Sequence, residues 1–205
     1  MLRTIMVFTV AAGLGLPALS TAQTVSPAPG QSLGGPLVPG VCVLSREAVF
    51  SSAKVGQAAT ARLQELTDQA RTEVNADRAP LDAEAKAIES QRASLSAAAL
   101  KTRQEALTAK ATALQQKAAL RNREIEATRA KAAAKIGEEA QPLIEQAYHS
   151  HNCGMLLSRD AVLGGNADAD LTAAVVKALD GKITTITFDR ESLAGEALKA
   201  ALANR

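Results

Sequence analysis

From Gln57 to Tyr148 the chain carries a single glycine, Gly137, and two prolines, Pro80 and Pro142. Ala, Leu, Glu, Gln, Lys and Arg, the strongest helix formers, dominate this stretch. It has no Trp or Phe, and its one Tyr stands at the very end. So long a segment with so few breakers is helical almost throughout, and the rest of the chain must be arranged around it. It is not one uniform rod. Leu81, Ile88 and Leu95 recur at intervals of seven, and Leu100, Leu107 and Leu114 do so again, five residues out of step. A heptad stripe that jumps phase is either a stutter or a turn. The jump falls among Ser90, Ser94 and Ser96, and serine competes for backbone hydrogen bonds and favours turns and caps. The spacing predicts an antiparallel α-helical hairpin over 53–148, with its tip near 94–99. Each arm is expected to have about 40 residues and to be roughly 60 Å long.

Residues 1–22 read as a secretory signal peptide. Arg3 supplies the positive n-region, Ile5 to Leu16 the apolar core, and Ser20-Thr21-Ala22 the small residues before cleavage at Gln23. The rival reading, a retained anchor, meets an apolar run short of the about 20 residues that a span needs. The expected mature chain is therefore exported and soluble. Residues 23–40 hold Pro27, Pro29, Pro36 and Pro39 with Gly30, Gly34, Gly35 and Gly40. Such a composition predicts a disordered leader.

Short apolar runs flank the hairpin. Val41 to Leu44 has the length of a buried strand. Ser45 to Phe50 follows as a turn or short helical turn, and Ser51 or Ser52 is placed to cap the first arm. Beyond the second arm, Asn152 to Leu157 reads as another strand, and Gly164-Gly165-Asn166 as a turn. Asp168 or Asp170 then caps a helix with Leu171, Val175 and Leu179 on one face, ended by Gly181. Ile183-Thr-Thr-Ile-Thr-Phe188 alternates and is β-branched, which predicts a third strand. Ser192 to Asn204 is expected as a final helix. The fold class is thus α+β: a long hairpin projecting from a small body built from 41–52 and 149–205. Aromatic residues make up only 2% of the chain, so this body lacks the usual core filler. A domain of that size is marginal alone, and oligomerisation, with a sheet or barrel extended across subunits, is the natural remedy.

The formal charge of +2 conceals an arrangement. Arg92, Lys101, Arg103, Lys110, Lys117, Arg121 and Arg123 occupy the tip and the first part of the returning arm, opposed only by Glu105. The outgoing arm carries an excess of acids. One reading is a solvated face with pairing between the arms. The other is electrostatic capture of an anionic partner by the basic residues. Nucleic acid does not fit behind a signal peptide. Acidic unfolded chains or anionic lipids, lipopolysaccharide included, are the partners available outside the cytoplasm.

Cys42 and Cys153 stand one on each expected strand. Export permits a disulfide, and neighbouring strands bring Cα atoms within the about 4.4–6.8 Å that a bridge needs; the alternative is two small buried hydrophobes. His149, His151 and Cys153 would share a strand face and, with Cys42, offer a zinc set, but no recognised ligand spacing is present. No metal is expected. There is no GxSxG elbow, no phosphate-cradling glycine loop and no paired carboxylates in a plausible pocket. Ser158-Arg159-Asp160 is better read as a turn cap than as part of a triad. The sequence does not read as an enzyme.

The order of these elements resembles the OmpH/Skp family of periplasmic chaperones. Val41-Cys-Val-Leu-Ser-Arg-Glu-Ala-Val-Phe50 resembles the family's opening strand and helical turn, and Gly56-Gln57 the start of its first tentacle. Cys153-Gly-Met-Leu-Leu-Ser-Arg-Asp-Ala-Val162 resembles the strand and loop after the second. Asp170-Leu-Thr-Ala-Ala-Val-Val-Lys-Ala-Leu179 resembles the D-(I/L)-T-x-x-V-(I/V)-x-x-L helix that follows and is the most specific signal. The resemblance implies a jellyfish-shaped homotrimer with an intersubunit β-barrel and three hairpin arms around a cavity. It implies a periplasmic, ATP-independent holdase that binds unfolded outer-membrane β-barrel proteins, prevents their aggregation and uses no cofactor. Pro80, and Gly137 with Pro142, are candidate hinges, since proline removes a helix hydrogen bond. The long leader and the extension from Asp189 to Arg205 depart from the familiar pattern. The alternative reading is an envelope scaffold of coiled-coil type, which predicts a continuous heptad seam.

Overall fold

The computed structural model describes residues 33–193. The expected signal peptide, most of the leader, and the expected last helix beyond Leu193 lie outside the described residues. In order, the chain forms β1 (Val41–Leu44), α1 (Arg46–Ser52), α2 (Lys54–Gln91), α3 (Ala97–Ser150), β2 (Met155–Ser158) and α4 (Thr172–Lys182), with 3-10 turns at Arg159–Ala161 and Ala167–Ala169. The hairpin of α2 and α3 dominates.

The two strands pair in parallel, Val41 opposite Met155 through Leu44 opposite Ser158. Parallel neighbours need a long crossover, and here the crossover is the whole hairpin. Gly40 O accepts from the backbone N–H groups of Gly154 and Met155 at 2.7 and 2.8 Å, which sets the register. Cys42 and Cys153 are joined by a disulfide with Cα atoms 5.8 Å apart. Both sulfurs are thereby withdrawn from any metal set with His149 and His151. Asn152 takes a left-handed conformation, φ 51°, and closes α3 as a small polar residue can.

At the far end, residues 92–96 make the turn. Ser96 caps α3, its hydroxyl accepting from Ala99 N at 3.2 Å. By the usual helical rise α2, with 38 residues, is about 57 Å long and α3, with 54, about 81 Å. The arms are therefore unequal, against an expectation of equal ones. The extra length of α3 runs into the body. Ile136, Ala140 and Ala147 share one core with Val55 and Ala59 of α2, Leu44 of β1, and Leu171, Val175 and Leu179. Helical periodicity does not mark where an arm stops and a wall of the body begins.

Local capping also differs from expectation. Ser51 and Ser52 lie inside α1 and cap nothing; Ala53 precedes α2 without a side-chain cap. The donor at the start of α2, Lys54 N, is instead met by Asp180 Oδ1 of α4 at 2.7 Å. Ser45 caps α1 through Ala48 N and donates its own N–H to Thr172 Oγ1 at 3.0 Å. Asp170 does serve α4, accepting from Thr172 N at 2.9 Å.

The expected third strand, Ile183 to Phe188, is not one. It pairs with no strand among the described residues. Ile183, Ile186 and Phe188 pack on the core instead. Alternating β-branched residues favour an extended chain, but a strand also needs a ladder partner, and helices lie beneath this segment.

Candidate functional site

Beyond its root the hairpin has almost no core. In α2 the buried side chains run Val55, Ala59, Leu63, Leu66 and Ala70, then stop until Ile88. In α3 nothing is buried before Glu124 and Ile125. The heptad residues Leu81, Leu95, Leu100, Leu107 and Leu114 are only half-buried. What joins the arms there is a ladder of ion pairs. Lys110 meets Glu84 at 2.6 Å, Lys117 meets Asp77, and Arg121 meets Glu73 at 2.7 Å. Surface pairs of this kind contribute at most about 1 kcal/mol each. The distal arms are held in register rather than locked.

The ladder places several of the basic residues singled out from the sequence. Lys110, Lys117 and Arg121 face the partner arm. Arg103 donates to Gln91 Oε1 at 2.7 Å, Arg92 reaches Glu89 at 3.8 Å, and Lys101 reaches Glu105 at 3.9 Å. Arg123 is exposed. The seven are thus not one patch. Three stitch the arms and three cluster near the tip. Their acidic partners were legible in principle: each cross-arm pair is symmetric about position 97, as an antiparallel hairpin with that tip requires. Pairing between the arms is one of the two readings that the sequence offers for these charges; the register of the individual pairs is what the structure adds.

At the root a second arrangement appears, and sequence reasoning missed it. The segment after α4 climbs back along the hairpin. Phe188 packs against Leu66, Ala70 and Ile125. Arg62 donates to Phe188 O at 3.3 Å and pairs with Asp189 at 3.0 Å. Arg190 pairs with Glu73 at 3.0 Å and with Glu124 at 3.4 Å. Glu191 N donates to Thr128 Oγ1 at 2.9 Å, and Lys131 closes on Glu191 at 2.8 Å. Glu124, with its side chain only 3% exposed, is a buried charge, which is costly unless paired; Arg121 and Arg190 provide the pairing. Burial disfavours the charged form of Glu73, but hydrogen bonds from Arg190 and Arg121 outweigh it and hold this carboxyl below its ordinary range. Arg121 is held above its ordinary value, chiefly by the Glu124 hydrogen bond. A cleft of about 360 Å³ lies beside this segment, between the arms.

The body presents a different surface. A cleft of about 1560 Å³ is lined by Leu37, Val38, Val43, Leu157, Leu163 and Val176 among others. Leu37, Val38, Met155 and Leu163 are large apolar side chains exposed on the body. The outer edge of β2 has no strand partner among the described residues. There is no His/Cys/Asp/Glu group suited to a metal and no helix long and apolar enough to cross a membrane among the described residues.

Comparison with known proteins gives a family match and similarity to a solved structure. The family model described as outer membrane protein (OmpH-like) matches residues 40–179, so the segment after α4 lies beyond it. A crystal structure described as an outer membrane chaperone (OmpH-like) from Caulobacter crescentus CB15 is 42% identical, covering 80% of this chain and 96% of that one, with a TM-score of 0.71. No curated protein matches.

Proposed function

The chain belongs to the family of OmpH-like outer membrane proteins, and from that premise we propose that it is a periplasmic, ATP-independent holdase. This family comprises chaperones rather than enzymes. In the proposed role the chain is exported by a cleaved signal peptide and binds unfolded outer-membrane β-barrel proteins between its arms. It prevents their aggregation without a cofactor.

One observation carries the reading: the arms beyond the root are long, half-buried along one seam and bridged by weak ion pairs rather than a core. A holdase must enclose chains of varied size and sequence. Arms without a locked interior can splay, and their mildly apolar Ala and Leu seam offers contact without selecting one side chain. Arg92, Lys101 and Arg103 at the tip, with Arg123 further down, are the cations best placed to recruit an acidic client or an anionic lipid; Lys110, Lys117 and Arg121 would do so only as the arms part. A scaffold of coiled-coil type is less well supported, because the seam breaks at the tip and both ends return to one body.

The proposed oligomer is a homotrimer whose strands share a barrel. Support comes from the edge of β2, which has no strand partner among the described residues, and the exposed Met155, Leu163, Leu37 and Val38 beside the body cleft, an apolar patch that monomers rarely leave open.

Light scattering on the chain from Gln23 onward tests both parts. The expected mass is that of three chains, rising by one client when a urea-unfolded outer-membrane β-barrel protein is added, with that client kept soluble. Weakening by salt assigns recruitment to the basic residues. A monomer that leaves the client to precipitate overturns the reading.

A further inference from the structure

We propose that the groove between the arm roots is a binding site for an extended segment of alternating apolar residues ending in an aromatic, and that the chain's own Ile186–Glu191 occupies it in cis. The proposal rests on the holdase reading for the identity of the external ligand, an unfolded β-barrel strand.

The argument begins with conformation. The segment after α4 alternates in burial: Ile186, Phe188 and Arg190 are half-buried, while Thr187 and Asp189 are exposed. That is the period of an extended chain lying on a surface, yet it has no ladder partner among the described residues. Its backbone is held by side chains of the two arms, Phe188 O by Arg62 of α2 and Glu191 N by Thr128 of α3. Such contacts to main-chain groups ask for an extended peptide, not for one sequence. Its aromatic anchor is the half-buried Phe188, packed on Leu66, Ala70 and Ile125.

The pattern of the occupant carries the second step. Ile186-Thr187-Phe188 alternates apolar and polar residues and ends in an aromatic. Strands of membrane β-barrels have the same alternation, with aromatic girdles at their ends. The tail is therefore a mimic of the proposed client, seated where the two arms converge. It also lies outside the region that the family model matches. While it is docked, a client strand meets an occupied groove, and apparent affinity falls by the fraction of molecules whose groove is free. Arg190, bound to Glu73 and Glu124, is the latch.

The test uses the chain from Gln23 to Arg205 and two probes: a fluorescein-labelled peptide with the sequence of Ile183–Glu191, and a urea-unfolded outer-membrane β-barrel protein. Phe188→Ala vacates the aromatic anchor. Arg190→Ala releases the latch with Phe188 intact, and serves if the first variant does not fold by circular dichroism. Both variants should bind the peptide about tenfold or more tightly than the parent chain, since docking of the tail to nine parts in ten masks that much affinity. Adding Leu66→Ala to Phe188→Ala should cancel the gain. Peptide binding that is equal in all folded forms, or absent from all, overturns the proposal and makes the tail a fixed strut. The client arm judges the other reading: if no form keeps the client soluble, the holdase reading fails, while the peptide arm still decides the groove.

Discussion

Gly56 shows how much one residue can carry without bearing a side chain. It is buried at the start of α2, where the end of α1 crosses it, and a Cβ there would stand inside the carbonyl of Phe50. The obstacle is backbone, which cannot rotate away. Gly56→Ala should therefore destabilise the body by about 1–3 kcal/mol, the usual range for overpacking, despite the better helix propensity of alanine. Urea unfolding of the variant checks it; an unchanged or raised midpoint would mean that α1 yields freely. The sequence marked Gly56 only as part of a familiar motif, because the need for a missing Cβ arises from an element folded back against it. Leu171, Val175 and Leu179 were the opposite case. Their helical spacing placed all three on one face, and all three are fully buried, since burial of a short amphipathic helix follows from its own pattern.

Among the elements, the hairpin divides into a bridged outer part and a clasped root. The root is where pH should act. Burial disfavours the charged form of Glu73, but hydrogen bonds from Arg190 and Arg121 outweigh it and hold the carboxyl below the usual carboxylate range. A depressed folded value means stability that is fully present above the unfolded pKa and lost as pH falls through the folded one. The clasp should thus be intact from neutral pH down into the ordinary carboxylate range and loosen as the pH falls below it. Exchange of the Glu191 amide, which donates to Thr128, reports the loosening. Glu73→Gln should remove the dependence on that carboxyl. Protection that stays constant through the acid range in the parent chain would show that the Glu73 carboxylate does not hold the clasp. The tip and the ladder were within reach of the sequence, because an antiparallel turn fixes which residues face one another. The clasp was not: Ile183 to Phe188 has the composition of a strand, and only the lack of a free edge beside it turns that preference into an unpaired extended chain.

At the scale of the whole molecule, the disulfide sets the topology. Cys42 and Cys153 close a loop across 111 residues, which is the entire hairpin. In the chain-entropy account a loop of that length restricts the unfolded state by about 4–5 kcal/mol. Reduction, or Cys42→Ser, should lower the unfolding free energy by about 2–5 kcal/mol, read from urea unfolding with and without reductant. A change of a few tenths of a kcal/mol would mean that the strand pairing and the α4 core close the loop unaided. The body needs such help, because its sheet has two strands among the described residues and its apolar face is open.

Composition and periodicity by themselves determined the long helices, the place of the turn between them, the buried face of α4 and the strand character of Val41 to Leu44, because each of these depends on residues close along the chain. Only the tertiary structure decided that Asp180 rather than a local serine caps α2, that α3 continues as a wall of the body, and that the last described segment lies as a clasp on the arm roots. Each of those depends on which groups meet from elements more than a hundred residues apart or on opposite arms, and local preference carries no information about a partner it does not touch.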